Sequence, residues 1–214
     1  MKKSIAVLGL GKFGKSLAES LYEQGADVLA VDCSEEIIED FAGKCTSAVC
    51  ANLTFEDEVT SLGLKNMDIV VTAMGDNLAA SIMSIAVAKE QGVPLVVSKS
   101  STDRMSSILL KVGADRIINP EGEGGARSAK ILLSSSFKDF FKIDDNMYMI
   151  EAHPKPEWTG KTLAELDLRN KFNLNVVAVR DEGKPWHFAN STTPIGEKCL
   201  LLIAVEKQHM HQFM

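Results

Sequence analysis

Along the first 120 residues, short apolar runs alternate with stretches in which apolar positions recur every three or four residues. The runs at residues 5–8, 28–31, 48–50, 69–74, 95–97 and 117–118 read as strands. Between them, Phe13, Leu17 and Leu21 mark one face of a helix. Ser34 and Thr102 stand as N-caps, the first before Ile37, Ile38 and Phe41, the second before Ile108, Leu109 and Val112. Thr54-Phe55-Glu56-Asp57 has capping-box spacing before a short helix stopped by Gly63. Residues 78–89 form a helix rich in small residues, ended by Gly92 and Pro94. Six strands separated by helices predict parallel β-α-β units in a Rossmann-like, doubly wound α/β sheet. The runs are apolar throughout, as strands are when helices cover both faces.

After Gly122-Glu123-Gly124-Gly125 the grammar changes. Residues 126–141 read as a connecting helix, and 148–152 as a strand. Thr162-Leu163-Ala164-Glu165 has capping-box spacing and opens a helix to about Phe172. Residues 176–180, 185–189 and 200–205 are three more strands, with a turn at Asp181-Glu182-Gly183. The predicted organisation is a Rossmann-like domain at 1–123, a connecting or crossover helix at 124–141, a small α+β domain at 142–207 and a frayed tail at 208–214. A module of about 65 residues has a marginal core and gains from oligomer contacts.

Composition narrows the class. The chain has 214 residues, 45% hydrophobic and 24% charged, which is ordinary for a folded globular protein and excludes a disordered or collagen-like chain. Its net charge of −6 argues against a general nucleic-acid surface. The four cysteines, Cys33, Cys45, Cys50 and Cys199, form no C-x-x-C pair, and Cys45 and Cys50 read as small buried hydrophobes at the ends of a strand. No leader pattern and no bilayer-length apolar stretch is visible. Reduced cytoplasm is therefore the expected compartment. Any membrane role would act through a partner.

Gly9-Leu10-Gly11-Lys12-Phe13-Gly14 satisfies G-x-G-x-x-G, and Gly9 to Ser16 also satisfies G-x-x-x-x-G-K-[ST]. Both patterns bring backbone N–H groups up to phosphates at a helix N-terminus. Context favours the first. Asp32 follows the second strand at the distance at which a dinucleotide fold holds a ribose, and helix periodicity already begins at Phe13.

With the motifs Val31-Asp32, Ala51-Asn52-Leu53-Thr54, Ala73-Met74-Gly75-Asp76-Asn77, Val97-Ser98-Lys99 and Gly113 to Glu121, the chain resembles the RCK (regulator of K⁺ conductance) family of TrkA and KtrA type. The resemblance implies a cytosolic gating subunit, peripheral at the inner face of the membrane. It would form homodimers that assemble into an octameric ring beneath a TrkH/KtrB-like K⁺-translocating subunit. It further implies that Gly9, Gly11 and Gly14 line a pyrophosphate, with Lys12 and Phe13 in the same turn. Asp32 and Cys33 would lie at the ribose, Asn52 and Leu53 at the adenine, and Ala73, Met74, Gly75 and Asn77 under the phosphates, with Lys99 nearby. Lys12 stands where arginine is usual, and a third phosphate is its expected contact. ATP or ADP is the expected ligand, with NAD(H) the alternative. Glu121 would hold Mg²⁺ or Ca²⁺. Arg169, in Leu166 to Phe172, would line a two-fold pocket for cyclic di-AMP.

The competing class is an NAD(P)-dependent oxidoreductase or redox sensor, because the same turn serves both. No Tyr-x-x-x-Lys pair supports it, since Ala26 and Ala152 stand four residues after Tyr22 and Tyr148. No helix-turn-helix is visible either. The expectation is a switch with no catalytic residues. His153 and His187 stand alone, and His209-Met210-His211 falls in the tail. Trp158 and Trp186 serve equally well as core or interface.

Overall fold

The computed structural model describes residues 2–133 and 137–213. Contacts divide the chain into two units, Met1–Glu123 and Gly124–Met214.

The first unit runs β1 (Ser4–Leu8), α1 (Lys12–Glu23), β2 (Asp27–Asp32), α2 (Glu35–Phe41), β3 (Ser47–Cys50), α3 (Glu56–Ser61), β4 (Ile69–Thr72), α4 (Leu78–Glu90), β5 (Leu95–Lys99), α5 (Asp103–Val112) and β6 (Arg116–Ile118). All pairings are parallel, in the order β3-β2-β1-β4-β5-β6. The order reverses between β1 and β4, which is the doubly wound arrangement with its switch point there. Alternate residues of the inner strands feed opposite cores. Ala6, Leu8, Val31, Val70 and Val96 pack on one face, and Ile5, Val7, Val28, Ala30 and Val71 on the other. Burial on both faces is why these inner strands are apolar throughout, while the edge strand β3 is largely exposed.

Ser34 and Thr102 cap α2 and α5 through the N–H groups of Ile37 and Met105. The capping box expected at Thr54 does not form. Helix α3 starts after Phe55 without a side-chain cap, and the Thr54 hydroxyl instead donates to Asn52 Oδ1 at 2.7 Å. The Asx turn made by Asn52 competes for the same hydroxyl.

Helix α6 (Pro120–Leu133) leads out of the first unit. The second unit continues with β7 (Phe137–Lys142), β8 (Met147–Ala152), α7 (Leu163–Leu166), α8 (Leu168–Phe172), β9 (Leu174–Arg180), β10 (His187–Phe188) and β11 (Leu200–Glu206). These strands form an antiparallel sheet in the order β10-β9-β11-β8-β7. Ile150, Leu174, Leu201 and Ile203 form its core with Trp158, which places this tryptophan in the interior.

Four expectations are corrected here. The helix expected over 124–141 stops at Leu133, and Phe137–Lys142 is a strand paired with β8; the intervening 134–136 lie outside the described residues. The helix expected from Thr162 to Phe172 breaks at Asp167, which sits in the left-handed region at φ 48°. The strand expected at 185–189 shrinks to His187–Phe188. The tail expected to fray from Gln208 forms a 3-10 helix, Lys207–Phe213, with Met210 buried against the sheet.

Candidate functional site

The carboxyl ends of β1, β2, β4 and β5 surround a cleft of about 440 Å³ beside the switch point. Gly9, Gly11, Lys12, Phe13, Asp32, Ala73, Met74, Gly75, Asp76, Asn77, Lys99 and Glu121 line it. Each glycine of the turn has a different reason to be glycine. Gly9 has φ +96°, and a Cβ there would overlap Met74. At Gly14, inside α1, a Cβ would overlap the carbonyl oxygen of Gly9, so only glycine lets the helix pack down on the turn. Gly11 meets nothing within 4 Å, and its side opens on the cleft.

Helix α1 begins at Lys12 with no side-chain cap and no acidic residue in its first turn. By contrast, α2 has the Ser34 cap and Glu35 and Glu36. The first N–H groups of α1 and its positive dipole end are thus left for an anion. Across the turn, the half-buried Asp32 accepts from the Leu10 N–H at 2.7 Å through Oδ2 and from the Ser34 N–H at 3.0 Å through Oδ1. A carboxylate has about four lone-pair positions, so acceptor capacity remains on both oxygens. Two backbone bonds fix its orientation.

On the opposite wall, the Asn77 side chain caps α4 by accepting from the Ala80 N–H at 3.1 Å. The Lys99 aliphatic stem runs past Gly75, and its ammonium lies 5.9 Å from the centre of the Phe13 ring. That ammonium also bonds Glu121 Oε1 at 2.5 Å. The bond from Lys99, aided by a backbone N–H, holds the Glu121 carboxyl below its usual range.

The cleft therefore brings together Gly9, Gly11, Lys12, Phe13, Asp32, Ala73, Met74, Gly75, Asn77, Lys99 and Glu121. Gly14 acts one layer down, through packing. Cys33, Asn52 and Leu53 do not line it. Leu53 is 4% exposed and belongs to the core, and Asn52 Oδ1 is engaged by the Thr54 N–H and hydroxyl. Asp76 is a lining residue missed as a site residue; its place between Gly75 and the cap Asn77 was the available signal. Glu121 faces Lys99 rather than a cluster of oxygen ligands. Among the described residues, no group of three or more His, Cys, Asp or Glu is placed to hold a metal ion. In the second unit, the exposed Arg169 borders a groove of about 320 Å³ with Leu168, Asn175 and Asn190.

Comparison with known proteins follows the same division. The TrkA-N domain family matches residues 5–120 and the TrkA-C domain family residues 147–214. The chain is 32% identical over 211 residues to the Ktr system potassium uptake protein A of Bacillus subtilis (strain 168), covering 99% of this chain and 95% of that protein. It is 36% identical over 180 residues to the Ktr system potassium uptake protein C of the same organism, covering 84% of this chain and 81% of that protein. Among solved structures, the GsuK channel bound to NAD matches with a TM-score of 0.67 at 16% identity, over 98% of this chain and 38% of that one. The GsuK RCK domain matches with a TM-score of 0.68 at 16% identity, over 99% of this chain and 46% of that one.

Proposed function

The chain belongs to the RCK family in its TrkA-N/TrkA-C form, and on that premise we propose that it gates K⁺ uptake by binding an adenine nucleotide in the cleft of its first unit. It is a regulatory subunit of a K⁺ uptake system rather than an oxidoreductase. One observation carries the nucleotide reading. A backbone-oriented carboxylate, Asp32, and an uncapped helix start opening through Gly11 line the same cleft. Asp32 would accept from ribose hydroxyls. The first N–H groups of α1 and the Lys99 ammonium would face phosphates, and Lys12 in the same turn favours ATP or ADP over NAD(H). The bound nucleotide supplies negative charge and differential contacts; no group in the cleft is assigned a catalytic step.

The Lys99–Glu121 pair gives the proposal a mechanism. Phosphate oxygens drawn to Lys99 compete with Glu121, which sits in the first turn of α6, the helix leading out of the first unit. Relief of that pair changes the constraint on the helix, and a ligand shifts a conformational equilibrium only through such differential contacts. A divalent cation at Glu121 would need the nucleotide or a second copy to complete its ligands. The cyclic di-AMP expectation rests on Arg169; loss of a saturable signal in Arg169→Ala of the whole chain would support it.

A membrane K⁺-translocating subunit is the partner this reading calls for, as the names of the Ktr potassium uptake relatives suggest; among the described residues no helix is long and apolar enough to cross a membrane. We propose a homodimer that builds an octameric ring as the form that engages it. The test is K⁺ flux in vesicles holding a Ktr-type membrane subunit with this chain added. Flux that changes between ADP and ATP, and loses that difference in Asp32→Ala, supports the proposal. Flux indifferent to nucleotide contradicts it.

A further inference from the structure

Two of the four cysteines are buried and two are not. Cys45 is 5% exposed and Cys199 2%, whereas Cys33 and Cys50 are both exposed. The expectation that Cys50 is a buried hydrophobe is thus corrected. It ends β3 on the outer edge of the sheet, beyond which, among the described residues, no strand pairs in this unit.

The exposed pair is brought together by strand register. Cys50 is the register partner of Asp32 across the parallel β2–β3 pairing, and Cys33 is the next residue after Asp32. The Cys50 thiol donates to the Cys33 carbonyl oxygen at 3.6 Å. Neighbouring strands lie about 4.8 Å apart. A residue one position past a register partner therefore falls within the roughly 4.4–6.8 Å Cα separation that a disulfide spans. Cys33 lies in the bend between β2 and α2 rather than in a strand, so its side chain is not bound to the alternation of the pleat.

We propose that Cys33 and Cys50 form a redox-active dithiol. It closes to an intrachain disulfide by exchange with a small-molecule disulfide, and closure weakens ligand binding in the adjoining cleft. The second half rests on the nucleotide reading above. The Cys33 thiolate attacks one sulfur of the small disulfide, whose S–S bond breaks and releases one thiolate. Cys50 then gives up its proton to solvent and attacks Cys33 Sγ, releasing the second thiolate. The pair loses two electrons, and the small disulfide gains them as two thiols. The order follows from the surroundings of Cys50. Desolvation, followed by the nearby acid Glu35, the Cys33 thiol and the acids Asp32 and Glu58, pushes the Cys50 thiol up, which disfavours it as the first attacking thiolate.

The link to the cleft is covalent. Cys33 lies between Asp32, whose carboxylate orients the site, and Ser34, whose N–H holds Asp32 Oδ1 at 3.0 Å and whose hydroxyl caps α2. Pulling Cys33 onto the end of β3 displaces the peptide that carries this bond.

The experiment treats the reduced full-length chain with oxidised glutathione and maps its peptides without reduction. The expected product is a Cys33–Cys50 cross-link removed by dithiothreitol, with Cys50→Ser stopping at a glutathione adduct on Cys33. Stable adducts on both cysteines without a cross-link, or cross-links only between chains, overturn the dithiol. ADP affinity, measured by calorimetry on reduced, oxidised and re-reduced protein, should fall about tenfold on oxidation and recover, as for loss of one hydrogen bond to a charged group. A cross-link that leaves ADP affinity unchanged overturns the coupling. Failure of the reduced protein to bind ADP refutes the nucleotide reading instead, and the peptide map still decides the dithiol.

Discussion

Gly11 and Gly14, three residues apart, predict opposite behaviour under the same substitution. Gly14→Ala drives a Cβ into the Gly9 carbonyl, where backbone must move, and should cost several kcal/mol of stability, as overpacked sites do at about 1–3 kcal/mol or more. Gly11→Ala meets open space and should leave the thermal midpoint within a few degrees while weakening nucleotide binding. Thermal melts of both variants with and without ADP check this; equal destabilisation would contradict the division of roles. The glycine turn and Asp32 were legible because their spacing is local. Residues paired across the fold were not. Nothing near Glu121 in the sequence points to Lys99, 22 positions earlier, and only the placement of α6 beside the end of β5 brings the two together. Cys50 read as buried because apolar runs imply interior strands, yet β3 is an edge.

Among the elements, Thr162 closes a full capping box at α7. It accepts from the Glu165 N–H while Glu165 Oε2 accepts from the Thr162 N–H at 2.7 Å. Thr162→Ala should destabilise the second unit by about 0.5–2 kcal/mol, measured by urea unfolding. In the first unit, Asp115 joins two elements by accepting from the Val96 N–H of β5 at 2.7 Å and from Lys89 of α4 at 3.0 Å. The Val96 bond, then Lys89, hold its carboxyl below the usual range. Its folded value lies under the unfolded one, so its contribution is complete above the unfolded value, about 3.9, and fades as pH falls toward the folded one. Asp115→Asn should flatten the loss of stability below about pH 4; an unchanged acid limb would contradict this. The miss at β7 has a physical cause. Phe137, Phe140 and Phe141 satisfy helical spacing, but aromatic residues also favour strands, and pairing with β8 outweighs local periodicity. The break at Asp167 escaped because each piece keeps helical spacing on its own, Leu163 with Leu166 and Leu168 with Phe172, and only the two-residue step between Leu166 and Leu168 marks the change of phase.

For the molecule as a whole, the α/β class and a separate small α+β unit were readable, whereas the antiparallel pairing of the second sheet was not. The six apolar runs are long in β-branched residues, and the change of grammar after the glycine cluster coincides with the end of the parallel sheet. The second unit leaves Leu132 at 84% exposure, Leu133 at 78% and Ile143 at 56%, more apolar side chain than scattered surface residues require. Light scattering at micromolar concentration should therefore give a mass above the 23.3 kDa monomer, and Leu132→Glu with Leu133→Glu should lower it. A monomer in the unmodified protein would contradict assembly. The central claim is that the cleft at the β1–β4 switch point is an adenine-nucleotide site, and its most direct measurement is calorimetry of ADP, ATP and NADH on the purified chain and on Asp32→Ala. The account predicts saturable binding, ADP or ATP tighter than NADH, and a loss of about 1.5–3 kcal/mol in the variant, the range for hydrogen bonds to a charged group. No binding of any of the three, or an affinity that Asp32→Ala leaves unchanged, would contradict it.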